Sequence, residues 1–234
     1  MKEGKEVVTE KIGTLFVVAT PIGNLEDMTL RAIRVFKEVE YILCEDTRVT
    51  GKLLKHYDIV TKMKRYDAHS TLKIQEEVCE DLENGKQIAL CSDAGTPGVS
   101  DPGVHIIDQI LSKKLDAKVV AVPGASAVTA TFSIAGIPGN QFSFLGFIPQ
   151  KKGRQTFLKQ LADTEIPVIF FESTHRIIKL LESLVEYCPL KTIVIAREIT
   201  KFHEELVRGK PEEVFNYFKV NIQHQRGEFV VTVY

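Results

Sequence analysis

Short apolar runs along this chain alternate with stretches in which apolar residues recur every three or four positions, a pattern that predicts strands followed by helices. Leu15 to Asn24 reads as a buried strand running into a turn, and Asp27 to Phe36 has apolar residues at helical spacing. Tyr41 to Cys44 is the next strand, followed by a helix from Val49 to Tyr57. A further helix from Leu72 to Glu83 closes at Asn84-Gly85, a pair suited to a helix C-cap. Ile88 to Cys91 reads as a strand, Val104 to Leu111 as a helix and Ala117 to Val122 as another strand. Such alternation indicates a parallel sheet.

Beyond Pro123-Gly124 the pattern changes. Ala125 to Gly136 reads as a helix of small residues, Phe142 to Ile148 as a strand and Gln155 to Ala162 as a helix. Val168 to Phe171 and Thr192 to Ala196 read as strands on either side of an amphipathic helix, Ile177 to Tyr187. Phe202 to Arg208 and Gly227 to Tyr234 read as strands, with the helix Pro211 to Phe218 between them. The expected fold is α/β in two domains: a parallel-sheet N-terminal domain, residues 1–122, and a mixed-sheet C-terminal domain, residues 123–234. There is no internal repeat and no low-complexity linker.

Composition narrows the class. The 234 residues suffice for one large or two small domains, and 44% hydrophobic with 26% charged residues is the balance of a soluble globular protein. No apolar run approaches a membrane span, and Met1 to Lys11 is charged and lacks an apolar signal core, so a cytoplasmic protein is expected. Cys44, Cys79, Cys91 and Cys188 lack the paired spacing of a metal knuckle or disulfide framework and read as reduced and buried. A formal net charge of −1 argues against a protein that coats nucleic acid non-specifically, while leaving room for a local basic patch.

The candidate chemistry centres on Ile88 to Gly103, where a strand empties into a loop with two prolines, three glycines, Asp93 and Asp101. Open α/β sheets bind ligands at the carboxyl ends of their strands. The expectation is a ligand site made of backbone groups and a buried carboxylate; a plain connection is the alternative. Thr20-Pro21-Ile22-Gly23-Asn24 carries a single glycine, so a phosphate-cradling G-x-G-x-x-G loop is not expected. Glu45, Asp46, Thr47 and Arg48 stand at the end of the second strand, either as part of a site or as a helix N-cap with Arg48 on the surface. Lys52, Lys55, Lys62, Lys64 and Arg65 either face RNA or form a solvated charged face. The small residues after Pro123 admit either a flat ligand near the helix start or close helix packing.

Six motifs in order carry a resemblance that runs from about Gly13 to the C-terminus: Val18-Ala-Thr-Pro-Ile-Gly-Asn-Leu25, Cys44-Glu-Asp-Thr-Arg48, Ser92-Asp-Ala-Gly-Thr-Pro-Gly98, Val122-Pro-Gly-Ala-Ser126, Phe171-Glu-Ser-Thr-His-Arg176 and Gly227-Glu-Phe-Val230. The chain resembles the tetrapyrrole-methylase superfamily, and within it the branch that acts on ribosomal RNA. The resemblance implies two α/β domains with S-adenosylmethionine in the cleft between them, a homodimer, and no metal. It implies cofactor contacts at Pro21, Ser92, Asp93, Thr96, Ser126 and Ala127, and at Glu172, Ala196 and Glu228. Ser92-Asp93-Ala94 replaces the family's usual Gly-Asp-Pro, and Pro21-Ile22-Gly23-Asn24 its glycine-rich turn, which suggests a substrate other than a porphyrin. A cofactor without phosphates suits a first loop without a phosphate cradle.

The RNA branch methylates the ribose 2′-hydroxyl of a cytidine in the decoding region of 16S rRNA, so the implied partner is that RNA or the small ribosomal subunit. A hydroxyl is a weak nucleophile, and a positioned proton acceptor would help. The first candidates are Asp46 or Glu45, with Arg48 holding phosphate; the second pair is His175 with Arg176, against a structural histidine. Lys151, Lys152 and Arg154 read as phosphate contacts. Three other readings stay open: a methylase of a tetrapyrrole or small metabolite, a phosphate or nucleotide hydrolase holding Mg²⁺ on Glu45, Asp46, Asp93 and Asp101, and a non-catalytic ribosome-binding module.

Overall fold

A computed structural model describes residues 12–67, 72–101 and 104–234; the charged opening to Lys11 and the end of the loop at 102–103 lie outside the described residues. These fall into two units, residues 12–21 with Leu25–Ala125, and Ile22–Asn24 with Ser126–Tyr234.

The first unit runs β1 (Gly13–Val18), α1 (Leu30–Glu38), β2 (Tyr41–Cys44), α2 (Thr47–His56), β3 (Lys62–Arg65), α3 (Leu72–Glu83), β4 (Gln87–Cys91), α4 (Val104–Ser112) and β5 (Ala117–Val122). Its strands pair in the order β3-β2-β4-β1-β5, all parallel. Both faces are covered, so its central strands read as continuous apolar runs. Val18, Ile42, Cys44, Ala89 and Cys91 pack against Ala32, Val35, Phe36, Leu53 and Leu54 of α1 and α2. Leu15, Leu43, Ile88 and Leu90 pack the other way, against Val78, Cys79 and Leu82 of α3 and Ile106 and Ile110 of α4.

Two local readings need correction. Helix α1 starts at Leu30, because the Thr29 hydroxyl accepts the Ala32 amide at 3.1 Å and caps it there; Leu25–Asp27 forms a separate 3₁₀ turn. The basic stretch expected only as a connection contains an edge strand, β3. Two of its charges have partners within the unit: Lys64 Nζ meets Glu77 at 2.7 Å and sits 3.9 Å from the Tyr41 ring centre, and Arg65 meets Asp67 at 2.7 Å. Charged residues on an edge strand also discourage pairing with other chains.

The second unit runs α5 (Ala127–Ile134), β6 (Ser143–Phe147), α6 (Arg154–Asp163), β7 (Val168–Ser173), α7 (Ile177–Tyr187), β8 (Ile193–Arg197), β9 (Glu205–Gly209), α8 (Pro211–Val220) and β10 (Glu228–Val233). The sheet order is β6-β7-β10-β8-β9; β6 and β7 are parallel and the other pairs antiparallel. Phe170, Ile193, Ile195, Phe229, Val231 and Val233 face α6, α7 and α8, whose Leu158, Leu180, Leu181, Leu184, Val214 and Phe218 complete that core. Ile169, Ala196 and Val230 face Val128 of α5 and Ile22. No helix among the described residues is long and apolar enough to cross a membrane.

Gly13 sits where β1 passes closest to α3: a Cβ there would lie 1.9 Å from the Leu82 carbonyl oxygen. Gly51 lies inside α2 with only a flexible neighbour, Met63 Cε at 3.5 Å. Gly13→Ala should therefore cost about 2 kcal/mol or more in urea unfolding, whereas Gly51→Ala should leave stability equal or raise it by up to about 1 kcal/mol.

Candidate functional site

In the first unit, β1 connects to β2 on one side of the sheet and β4 to β5 on the other, although β1 and β4 are neighbours. Such a reversal opens a crevice at the carboxyl ends of the two strands, where α/β sheets bind ligands. The loops leaving these strands are tied together by backbone bonds, Thr20 N–H to Gly95 O at 2.9 Å and Gly95 N–H to Thr20 O at 3.0 Å. The Thr20 hydroxyl adds a bond to Ser92 O at 3.2 Å, and the buried Ser92 hydroxyl donates back to Gly95 O at 3.3 Å. Gly95 and Gly98 take φ of 80° and 84°, which is what lets the chain double back. The Asp101 carboxylate accepts the Gly98 amide at 2.8 and 2.9 Å, and the Thr96 hydroxyl donates to Ala125 O at 3.1 Å. Pro21 is buried, and Ser126 begins α5 without a side-chain cap bond.

Asp93 corrects the expectation of a buried carboxylate in this loop: it is exposed. Its Oδ1 accepts the Asp46 amide at 3.1 Å, joining the ends of β2 and β4. Asp46 is the N-cap of α2, its Oδ1 accepting the Arg48 amide at 2.8 Å, and the same carboxylate takes the Arg48 guanidinium at 2.6 to 3.1 Å. Those bonds from Arg48 hold the Asp46 carboxyl well below the usual carboxylate range, so it is a weak base. Glu45 is the opposite case. Partial burial, then the negative charges of Asp101 and Asp93, push its carboxyl up. Among the described residues no group of three or more His, Cys, Asp or Glu side chains is arranged to hold a metal ion, and Glu45, Asp46, Asp93 and Asp101 form none.

In the second unit, β7 and β8 end at the same sheet edge where the antiparallel β10 begins. Glu172, at the end of β7, is 2% exposed. Its Oε1 accepts the Ser173 amide at 2.7 Å and is ion-paired with the Arg176 guanidinium, whose Nε lies 2.7 Å away, while its Oε2 has no hydrogen-bond partner among the described residues. A buried carboxylate oxygen without a donor is costly unless a ligand or water supplies one. His175 is exposed on the following turn, and Arg176 is committed to Glu172 and to the Ser173 hydroxyl at 3.0 Å. The Thr174 hydroxyl donates to Gly227 O at 2.7 Å and accepts its amide at 3.0 Å, stitching β7 to the start of β10. Ala196 does not join this edge: its side chain is fully buried under α5, and its backbone pairs with Val230 and Leu206. Lys151 and Lys152 are exposed, while Arg154, first residue of α6, is half-buried and reaches Ser183 Oγ at 3.5 Å.

Two groups escaped the sequence reading. Lys201 Nζ bridges Glu198 Oε1 at 2.9 Å and Glu228 Oε2 at 2.7 Å, and a Cβ at Gly23 would lie 2.5 Å from the Lys201 side chain. Arg197, Glu205, Tyr217 and His224 form a polar cluster in which His224 Nδ1 lies 2.8 Å from Glu205 Oε1 and Arg197 Nη1 lies 3.6 Å from Glu205 Oε2. The Arg197-Glu198 ending of a strand was the available signal, but nothing local points to its partners.

The opposed environments of Glu45 and Asp46 are measurable. In an NMR titration the Glu45 carboxyl should have its midpoint above the ordinary glutamate value, and neutralising its neighbours in Asp93→Asn with Asp101→Asn should bring it down; Asp46 should titrate well below ordinary aspartate and move up in Arg48→Ala. Because the folded-state value of Glu45 is raised, its stabilising contribution is fully present below the unfolded-state value and is lost as pH rises through the folded-state one.

The family model of the tetrapyrrole (corrin/porphyrin) methylases matches residues 14–214. Ribosomal RNA small subunit methyltransferase I of Halalkalibacterium halodurans is 41% identical over 222 residues, which cover 94% of this chain and 75% of that protein. The protein of the same name from Thermotoga maritima is 39% identical over 208 residues, 89% of this chain and 93% of its own. Among solved structures, uroporphyrin-III C-methyltransferase from Thermus thermophilus, complexed with S-adenosylhomocysteine, superposes with a TM-score of 0.61 at 19% identity, covering 94% of this chain and 97% of that one. The switch-point crevice, the loop motifs around Thr20, Asp46 and Gly95, and these matches over nearly the whole length agree: the chain belongs to the tetrapyrrole methylase family and, within it, to the ribosomal RNA small subunit methyltransferase I group.

Proposed function

We propose that this chain transfers the methyl group of S-adenosylmethionine to RNA of the small ribosomal subunit, at the ribose 2′-hydroxyl of a cytidine in the decoding region of 16S rRNA. The observation that carries the reading is the identity of about 40% over more than nine-tenths of the chain to a protein named for methylation of small-subunit rRNA. The Thermus thermophilus neighbour, bound to the demethylated form of the same cofactor, supports the choice of methyl donor. The reading makes the protein a cytoplasmic homodimer of two domains, 1–122 and 123–234.

The residues present fit the cofactor. When bound, it supplies an electrophilic methyl on a positively charged sulfur, and it has no phosphate to be cradled. In the first unit Pro21, Ser92, Asp93 and Thr96 are the proposed contacts, the exposed Asp93 carboxylate suiting a cationic group. In the second, Ser126 and Ala127 open a helix with N–H groups, and Glu228 and Glu172 supply carboxylates; the orphaned Glu172 Oε2 accepts one hydrogen bond from a donor such as an amine or hydroxyl. Arg176, 2.7 Å from Glu172 Oε1, holds the carboxylate in place with Oε2 unengaged.

For the acceptor hydroxyl, Glu45 is the better proton acceptor of the two first-choice carboxylates, because its raised affinity for a proton suits a general base and that of Asp46 does not. Arg48, already paired with Asp46, keeps its side chain 86% exposed and so can still meet an RNA phosphate through its outer N–H groups. His175, exposed on its turn, is the second candidate to take the proton. Lys151 and Lys152 hold the RNA backbone, with Arg154 the least available of the three.

The test is transfer of labelled methyl from S-adenosylmethionine to small ribosomal subunits that lack the modification, with nuclease mapping of the labelled nucleotide. Label in a 2′-O-methylated cytidine is expected; label in a porphyrin precursor and none in RNA would overturn the reading. Lys151→Ala with Lys152→Ala should leave cofactor binding intact by calorimetry while weakening RNA binding and making its log–log salt slope shallower by about 1.4, two single-strand phosphate contacts' worth.

A further inference from the structure

The strand β6 lies at the end of the second sheet, pairing with β7 on one side. Its register shifts between Phe144, opposite Ile169, and Phe147, opposite Phe171. Three steps along β6 thus match two along β7, a bulge, and Gly146 within it takes φ +62°. In a regular strand, residues three apart point to opposite faces. The bulge cancels that alternation, and Phe144 and Phe147 both meet the Phe171 ring edge-on, with centroids 5.0 and 5.5 Å away. Phe144 is half-buried in the cluster beneath α5. Phe147, re-aimed by the bulge, remains 55% exposed.

An aromatic ring packed edge-on against a second ring yet more than half open to solvent is an unfavourable surface unless something covers it. Its surroundings are cationic. The Arg176 guanidinium carbon lies 5.9 Å from the Phe147 ring centre, and the exposed Lys151 and Lys152 follow β6 in the chain. A ring with a flat apolar face and neighbouring cations matches an unstacked nucleobase and its phosphates, the combination by which proteins hold single-stranded nucleic acid. A purely apolar partner would meet the same cations unfavourably.

We infer that Phe147 is a stacking platform for a base of a single-stranded RNA segment, fixed by Phe171 and the Gly146 bulge, with Arg176 and the Lys151-Lys152 pair flanking it. The inference rests on the reading of the protein as an RNA methyltransferase and adds a positioning residue to it: a base clamped there constrains where the neighbouring ribose can lie. Stacking is tolerant of base identity, because every base has a π-face, so Phe147 contributes grip and register and leaves sequence choice to other contacts.

The experiment pairs RNA binding with methyl transfer. A single-stranded oligoribonucleotide of small-subunit sequence carrying 2-aminopurine is titrated with the full-length protein, and with Phe147→Trp, Phe147→Leu and Phe147→Ala, each first checked for an unchanged urea midpoint and unchanged S-adenosylmethionine affinity. Phe147→Trp should bind as the unmodified chain does. Phe147→Ala and Phe147→Leu should both weaken binding by roughly 5- to 150-fold and abolish the fluorescence quench, as loss of one stacked base does. Binding by Phe147→Leu equal to that of the unmodified chain would overturn the platform, since leucine keeps the apolar contact but not the ring, and so would an unmodified chain that does not bind the oligonucleotide. Ring-dependent RNA binding without methyl transfer to small subunits would leave the platform standing and overturn the proposed reaction instead.

Discussion

Five strands that all run the same way leave their carboxyl ends on one edge, and in the first unit every polar loop of interest starts from that edge: Thr20 after β1, Glu45 after β2, Ser92 after β4 and Pro123 after β5. Strand direction does this before any side chain is considered. What the side chains then add is a set of ties between loops, above all the paired backbone bonds of Thr20 and Gly95 and the Asp93 bond to the Asp46 amide. Crossovers that leave β1 and β4 in opposite directions guarantee the crevice; the ties set its lining. The second unit reaches a similar gathering with an antiparallel core, because β7 and β8 end where β10 begins. Glu172, Arg197 and Glu228 come from three strands and stand at one end of one sheet.

Electrostatics divides neighbours that look alike in the chain. Glu45 and Asp46 are adjacent carboxylates, yet one sits beside negative charges with its water partly removed and the other is saturated by Arg48 and a helix start. Environments that push two carboxylates in opposite directions allow one to accept protons while the other stays ionised. At Glu172 the asymmetry is within one carboxylate: one buried oxygen is bonded and ion-paired and the other is unsatisfied among the described residues.

The apolar pattern alone gave the ranges of β2, α3, β5 and α7, because those elements bury one continuous stripe or run and their ends carry turn residues. It missed β3, whose Lys62 and Arg65 have no apolar alternation to detect, since an edge strand needs only backbone pairing on one side. The motifs around Thr20, Asp46, Ser92, Glu172 and Gly227 were legible as chemistry. Their surroundings were not. Whether Asp93 is buried depends on how a loop closes, and sequence order is silent on that; its exposure had to be seen. Lys201 with Glu228, and His224 with Glu205, are joined across 27 and 19 residues respectively, distances over which no local rule operates.

The bulge at Gly146 has a second effect, on the behaviour of the molecule in a crowd. A strand at the end of a sheet offers a row of unpaired backbone groups, the usual template for unwanted strand-on-strand growth. An extra residue in the middle of β6 breaks the regular spacing of that row, so an approaching strand from another copy finds no continuous register to match. The kink that turns an aromatic ring outward therefore also guards the chain's colloidal stability, and an exposed, sticky edge is kept solitary by the same left-handed glycine.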